Sequence, residues 1–405
     1  MRIKRITDFL ALKKSTAGIL GMVVLILLGE RMAERFLPIY LMALGGGALV
    51  IGLLNGMDNF LSAVYSFLGG YLSDRLGTRR ALLLFNLAAM FGFTIVILIP
   101  VWQAVIVGAV FFLSWSAVSL PATMRLITDV LPRNKRTMGV SMLALVRRIP
   151  MALGPLLGGV CISAWGEKSG VRVAFGVALL LAGVATVMQQ VLIEADPDPS
   201  GASPGVRPEK NPFKLLHHMS PALRQLLAAD ILVRYCEQIP YAFVVVWCMK
   251  TIARPVTAVQ FGLLTSIEMV TALLIYIPVA YFADKSGKKP FVLITFGFFT
   301  LFPLALLFCQ SFALLVPAFI LRGFKEFGEP TRKMLIMELA PEGRKTAVFG
   351  LYYMLRDAFV TVAALGGGFL WLISPAANLL TAFFFGLIGT IGFAIWGRDV
   401  SIDRE

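Results

Sequence analysis

GGYLSDRLGTRR, from Gly69 to Arg80, returns about half the chain later as AYFADKSGKK, from Ala280 to Lys289. With Asp74 set against Asp284, Gly77 faces Gly287, Arg75 faces Lys285, and the pair Arg79 and Arg80 faces Lys289 and Pro290. Each copy joins two apolar stretches. An apolar helix, small residues, an acid, a glycine turn and a basic cluster make a tight connection at a membrane face, and Lys and Arg hold that face in the cytoplasm. The acid can pair with the N-terminal dipole of a neighbouring helix or with a nearby Arg, latching one conformation of a moving bundle. Gly70, Asp74, Arg75, Gly77, Arg79, Asp284 and Gly287 are the candidate latch residues. An ordinary positive-inside turn explains one copy; two copies in corresponding places point to a duplicated architecture.

The composition agrees. Of 405 residues, 58% are hydrophobic and 15% charged, with a mean hydropathy of +0.82, which excludes an ordinary soluble globular protein. The net charge of +14 reads as orientation and not as nucleic-acid binding, because Lys and Arg lie in short connections between apolar runs. Cys161, Cys236, Cys248 and Cys309 fall inside apolar stretches without metal-ligand spacing, so neither a disulfide framework nor a metal site is expected. No cofactor is implied. The only histidines, His217 and His218, lie in a polar central segment, which leaves carboxylates as the buried proton carriers.

A spanning helix needs about 20 largely apolar residues. Such stretches lie near 15–44, 48–72, 80–100, 103–124, 138–164, 171–193, 224–250, 257–283, 290–309, 312–338, 346–372 and 376–396. The expected fold is an all-α integral membrane protein of twelve transmembrane helices in two pseudo-symmetric six-helix halves, 1–194 and 224–405. Residues 195–223, rich in Pro, Gly, Ser and charge, form a cytoplasmic linker. The basic start and first apolar run imitate a secretory signal but end without an A-x-A site, so an uncleaved first span is expected. Arg75, Arg79, Arg80, Arg133, Lys135, Arg136, Lys285, Lys288, Lys289, Arg344 and Lys345 fall on one side and little beyond Lys168, Lys250 and Arg254 on the other. Both termini are therefore expected in the cytoplasm of a cell with an inner membrane.

The halves match again where PATMRLITDVLP, Pro121 to Pro132, shares its spacing with PTRKMLIMELAP, Pro330 to Pro341. In that register Arg147 faces Arg356, and Gly158–Gly159 faces Gly367–Gly368. RMAERFLP against RYCEQIP sets Arg31 and Glu34 beside Arg234 and Glu237. Duplicated halves mark a secondary transporter.

The pattern G-x-x-x-D-R-x-G-x-R-R, Gly70 to Arg80, resembles the signature loop of the major facilitator superfamily and sits between the second and third apolar stretches, as it does there. The resemblance implies the twelve-helix fold, with spans one, four, seven and ten lining a substrate cavity and spans three, six, nine and twelve facing lipid. The charges agree: spans three, six, nine and twelve carry none in their interiors. GPLLGG, Gly154 to Gly159, resembles the G-P-x-x-G-G motif of antiporters in the superfamily, although the R-x-x-Q-G pattern of proton antiporters is absent from span four. Gly154, Pro155, Gly158 and Gly159 are candidate bending points, with helix packing as the alternative. ERF, Glu34 to Phe36, resembles part of the E-x-x-E-R-F motif of proton-coupled oligopeptide transporters, with Glu30 four residues before Glu34 instead of three.

Intramembrane charges are costly and face a cavity or a partner. Glu30, Arg31, Glu34 and Arg35 share one face of span one, Arg234 and Glu237 one face of span seven, and Lys325, Glu326 and Glu329 crowd span ten. Arg147 and Arg356 lie roughly ten residues into their spans, about 15 Å deep, near the midplane. Glu268 stands alone in span eight, and the neighbour of Arg356, Asp357, is expected to point elsewhere. A carboxylate in a poorly hydrated cavity can take up a proton and release it when the site opens to the other side; the candidates are Glu34, Glu237 and Glu268. Buried guanidinium groups bind carboxylate or phosphate in bidentate fashion, and Arg31, Arg147, Arg234 and Arg356 are candidates, with Trp115 and Tyr353 as aromatic contacts. Mutual pairing of these charges to hold the helices in register is the competing role.

The expected protein is a secondary active transporter of a small, polar, anionic or zwitterionic solute. It works by alternating access in the lipid bilayer as a monomer, is driven by protons, and efflux is favoured over uptake by symport. Multidrug efflux and a non-transporting receptor of the same fold are the alternatives. A membrane enzyme would need a nucleophile with a base, or metal ligands, and neither spacing occurs. No nucleotide-binding loop is present for direct driving by ATP.

Overall fold

The structure, a computed structural model, describes residues 14–113, 115, 119, 123, 136–192, 219–341 and 345–398. The linker histidines and much of the fourth apolar stretch lie outside the described residues. Within them the chain is helical throughout. In order come α1 (Lys14–Glu34), α2 (Leu37–Ala43), α3 (Ala48–Leu76), α4 (Thr78–Leu98), α5 (Trp102–Phe112), α6 (Arg136–Leu192) and α7 (Pro221–Tyr241). Then follow α8 (Val244–Val246) with a π-helical turn at Trp247–Thr251, α9 (Ala258–Ser286), α10 (Lys289–Phe308), α11 (Phe312–Gly323), a 3-10 turn at Phe324–Glu326, α12 (Glu329–Leu339), α13 (Lys345–Ile373) and α14 (Pro375–Trp396). Every predicted span thus contains helix, the fourth described only at its start.

Local chemistry sets the boundaries. Gly77 and Gly287, the turn residues of the repeated loop, have φ of +84° and +88°, a conformation that favours glycine. Gly166, at φ +77°, divides α6 into two helices. Ser220 and Ser374 cap α7 and α14 by accepting the amides of Leu223 and Ala377 at 3.2 and 2.9 Å, each followed by a proline at the first helical position.

Among the described residues six helical segments are long and apolar enough to cross a membrane, and the pair Pro221–Tyr241 and Val244–Thr251, bent by 43°, makes a seventh if taken as one span. Their outer faces are apolar. Leu180, Val184, Val187 and Val191 form an exposed stripe on α6, and Phe384, Ile388, Ile391 and Ile395 form one on α14, the faces that meet lipid in a membrane.

Contacts divide the chain into two compact units, Met1–Gly46 with Phe60–Gly205 and Thr257–Ser266, and Gly47–Asn59 with Val206–Val256 and Ile267–Glu405. In the first, α1 lies along α6. Gly158 rests on the Met32 carbonyl, and Gly154 on Arg31, where an added Cβ would come within 2.6 Å. Gly159 touches the Ala258 carbonyl, and Gly262 packs on Pro155 and Leu156. Phe93, Phe112 and Phe175 close the interior with centroids 5.3 to 5.7 Å apart. In the second unit, α7 packs on α14, α13 and α10 around Leu226, Val233, Phe296, Tyr352 and Phe393. Here Gly367 rests on the Ile239 carbonyl and Gly368 on that of Ala48. The pairs Gly159–Ala258 and Gly368–Ala48 are the same contact in the two copies of the repeat.

The repeated loops show the same correspondence. Arg79 donates to the side chain and carbonyl of Gln190 at the end of α6, and Lys289 donates to the Ala394 carbonyl at the end of α14, at 3.0 Å. A cation at a helix C-terminus satisfies orphan carbonyls and the negative end of the dipole. Arg75 is exposed and donates to the Tyr71 hydroxyl at 3.2 Å. Gly70, Asp74 and Asp284 lie in helices, but the side chains of the two acids lie outside the described residues.

Candidate functional site

Three helices break beside their own charges. α1 ends at Glu34 and resumes as α2 with Pro38, α7 ends past Glu237 with Pro240, and α11 gives way to a 3-10 turn at Lys325 before α12 begins at Glu329 and Pro330. Proline lacks an N–H and weakens the ladder, and each of these breaks has one beside it, within stretches that hydropathy alone reads as continuous spans. Discontinuous membrane helices place polar backbone and charge at transport sites. Two of the last carbonyls of α7 are taken up, Gln238 O by the Asn55 amide at 3.0 Å and Ile239 O by the Asn378 amide at 3.3 Å.

In the second unit the charges join into one chain in which cation and anion alternate. Arg322 Nε lies 3.3 Å from Glu268 Oε1, and Lys325 Nζ lies 3.2 Å from the same oxygen. Lys325 reaches Glu237 at 3.0 Å, and Glu237 pairs with Arg234 at 2.6 Å. Arg234 continues to Glu329 at 3.1 Å, and Glu329 to Arg332 at 2.8 Å. Arg332 is bound to Asp230, which also accepts the Tyr352 hydroxyl at 2.9 Å and has Arg356 at 3.9 Å. Arg356 closes the chain on Asp357 at 2.6 Å. Alternation lets every buried charge face opposite charges, which offsets the desolvation that an isolated ion would suffer.

Exposure sorts the chain into two parts. Asp230 and Arg332 are 1% exposed and Tyr352 is fully buried, so these three are sealed and structural. The side chains of Arg234, Glu237, Glu329 and Arg356 keep 11 to 18% of their surface, enough to touch a small solute. Arg356 also stacks over Tyr353, 4.3 Å from its centroid, and the buried Tyr353 hydroxyl has no hydrogen-bond partner among the described residues. Arg322 is enclosed by Phe302, Phe319 and Tyr241, with centroids 5.0, 5.6 and 5.9 Å away.

One expectation needs correction and another gains its partners. Glu268 stands alone in its span, but α11 and the turn after it supply two cations that spacing within α9 could not reveal. Asp357 does not point elsewhere: Arg356 folds back onto it through Nε and Nη2. A long guanidinium stem reaches an adjacent residue that backbone angles alone place on another face. Asp230, Arg322 and Arg332 were missed, although Asp230 stands four residues before Arg234 and Arg332 three after Glu329, spacings that bring helical side chains together.

In the first unit, Arg31 pairs with Glu34 at 2.6 Å, the counterpart of Arg234 with Glu237 at the same distance. Glu30 is buried, and Arg147 lies in the fields of Glu30 and Arg31. Trp115 is buried with its indole N–H donated to Asn86 at 3.0 Å; Asn86 in turn donates to Gln189 at 2.7 Å, and Gln189 to the Arg79 carbonyl at 2.8 Å. The candidates thus fall into two sets, Arg234, Glu237, Glu268, Tyr353 and Arg356 in the second unit, and Arg31, Glu34 and Arg147 in the first.

The family model of the Major Facilitator Superfamily matches residues 19–253 and 239–403, and the chain belongs to this superfamily. It is 22% identical over 367 residues, 87% of each chain, to an uncharacterized MFS-type transporter of Methanocaldococcus jannaschii. Its fold is similar to the solved structure of a peptide transporter POT, with TM-score 0.78 and 14% identity over 95% of this chain and 93% of that one. It is equally similar to the nucleoside transporter NupG, with TM-score 0.78 and 13% identity over 95% and 100%. A POT family transporter in complex with 5-aminolevulinic acid gives TM-score 0.71 and 14% identity over 93% and 94%. The chain is a multi-pass membrane transporter, not an enzyme.

Proposed function

We propose that this transporter moves a small polar solute bearing an anionic group, anionic or zwitterionic, by alternating access coupled to protons. The observation that carries the reading is the alternating ion chain, whose partly exposed members present guanidinium groups for a carboxylate or phosphate and carboxylates for an amine or a proton. Arg234, Arg356 and Tyr353 are the solute ligands in the second unit, Arg31 and Arg147 in the first. Trp115, held by Asn86, is the aromatic contact in the first unit. Glu34, Glu237 and Glu268 are the proton-coupling carboxylates.

For direction, the GPLLGG motif favours efflux, with uptake by symport as the alternative; its glycines are engaged in close helix contacts. The repeated loops, through Asp74, Gly77 and Arg79 and through Asp284 and Gly287, latch one conformation at an inner-membrane face on which both termini lie.

The test is transport into proteoliposomes under an imposed pH gradient. The first panel is a dipeptide, 5-aminolevulinic acid, a nucleoside and a lipophilic cation. Accumulation of an anion or zwitterion that collapses with the gradient and weakens in Arg356→Ala supports the reading. Movement of the lipophilic cation alone, unchanged in that variant, would replace it with multidrug efflux. Binding without counterflow would replace it with a receptor.

A further inference from the structure

Between α3, α4 and α5, within the first unit, lies a cavity of ≈ 180 Å³ that shares only Trp115 with the solute site proposed above. It sits where the fourth span breaks. α5 ends at Phe112, Leu113 is extended at φ −59° and ψ 141°, and the Tyr65 hydroxyl is donated to the Val110 carbonyl near that end at 2.6 Å. Buried Phe85 and Trp115 form the floor. Exposed Leu68, Leu84 and Phe111 form a mouth on the outer surface, where Phe91 braces Phe111 edge to face at 5.0 Å. An apolar opening of this kind on a spanning bundle meets acyl chains. Water is a poor occupant, because the Tyr65 proton is already committed and the Trp115 N–H is donated to Asn86 at 3.0 Å. An apolar cavity of about 150 Å³ takes up a hydrocarbon the size of benzene, so this one has room for the end of an acyl chain.

The ends of the same helices say which molecule carries that chain. α3 runs from Tyr65 through Leu68 and Leu72 to the exposed Arg75 in its last turn, and α4 runs from the exposed Arg80 in its first turn to Leu84 and Ala88. At about 1.5 Å per residue these lining residues lie about 5 to 15 Å beneath the two arginines. That is the depth of one leaflet in a hydrocarbon core about 30 Å thick. At about 100° per residue, each arginine also stands within about 80° of the lining residues on its own helix, so it tops the face that borders the cavity. From this arrangement we infer that the cavity is a binding site for an anionic phospholipid. The phosphate rests on Arg75 and Arg80 in charge-assisted hydrogen bonds, and the end of one acyl chain enters between Leu68, Leu84 and Phe111 and reaches Trp115. A net negative headgroup is preferred over a zwitterionic one by roughly fivefold per basic residue, about 25-fold for the two. Trp115 is bonded to Asn86, Asn86 to Gln189, and Gln189 to the Arg79 carbonyl, so the occupied cavity touches a buried polar chain that ends at the repeated loop.

The probe is phosphatidylglycerol brominated near the middle of its acyl chains, titrated into proteoliposomes of the full-length protein in unbrominated phosphatidylcholine. The readout is quenching of Trp115 fluorescence, taken as the difference between the wild type and Trp115→Phe. Because Trp115 is buried, a chain seated in the cavity quenches it and the surrounding bilayer does not. Brominated phosphatidylcholine should need a mole fraction about 25-fold higher for the same quenching. Ala88→Phe fills the cavity from α4 and should abolish the quenching of Trp115. Arg75→Gln combined with Arg80→Gln should bring the two lipids to equal potency. No quenching of Trp115 by either lipid, quenching that survives Ala88→Phe, or equal potency of the two lipids in the wild type would overturn the assignment. Should Ala88→Phe or Trp115→Phe not fold, Ala88→Leu and Trp115→Tyr take their places with the same expectations.

Discussion

Asp230 and Arg332 form an ion pair with each side chain 1% exposed, and at this scale the cost of breaking it is one-sided. Among the described residues, Asp230→Asn leaves Arg332 with Glu329 alone, and Arg332→Met leaves Asp230 with only the more distant Arg234 and Arg356 at 3.9 Å, so each should destabilise by up to about 3–5 kcal/mol. The double variant should recover most of that loss. Tyr352→Phe removes one hydrogen bond to a charged acceptor and should cost about 1.5–3 kcal/mol. Unfolding in mild detergent measures all four, and single variants as stable as the wild type would show that the pair is solvated. Arg31 with Glu34 and Arg234 with Glu237 were legible in the sequence because three-residue spacing on a helix fixes the contact. The bridges from Glu268 to Arg322 and Lys325 were not, because they join helices whose mutual rotation no local spacing encodes.

At the scale of the helix, the glycines carry the sharper consequences. A Cβ at Gly158 would strike the Met32 carbonyl, backbone that cannot turn aside, so Gly158→Val should push α1 from α6 and lower stability by about 1–3 kcal/mol. Gly77→Ala and Gly287→Ala place a side chain at positive φ, where each should cost about 1–2 kcal/mol. Equal losses at the two sites would show that the repeated turns bear equal strain, and a loss at neither would refute the conformational argument. The turns at Gly77 and Gly287 were readable from the repeated loop, whereas the breaks near Pro38, Pro240 and Pro330 lie inside stretches read as continuous spans, since Pro150, Pro155, Pro278, Pro303 and Pro317 stand within helices that continue. The π-helical turn at Trp247–Thr251 was not readable either, since nothing in WCMKT separates it from an ordinary helical turn.

For the molecule as a whole, the distribution of Lys and Arg predicts sidedness. Lys168→Cys should react with a membrane-impermeant maleimide in intact cells, and Arg80→Cys only after permeabilisation. Background is low because Cys161, Cys236, Cys248 and Cys309 are all buried. Labelling of both positions from outside would overturn the orientation.

By itself the sequence determined the class of fold, the duplication, the glycine turns at Gly77 and Gly287 and the charges that share a helix face. Each depends on hydrophobic length, on glycine where the backbone turns, or on spacing along one element, and these are local or one-dimensional quantities. Only the tertiary structure decided which charges meet. The alternating chain from Arg322 to Asp357 draws on α7, α9, α11, α12, α13 and the turn at Lys325, and its order follows from how those helices are rotated and offset against one another. A buried charge accepts whichever opposite charge that packing delivers within about 4 Å, so the partner of Glu268 came from another helix and that of Arg356 from the next residue.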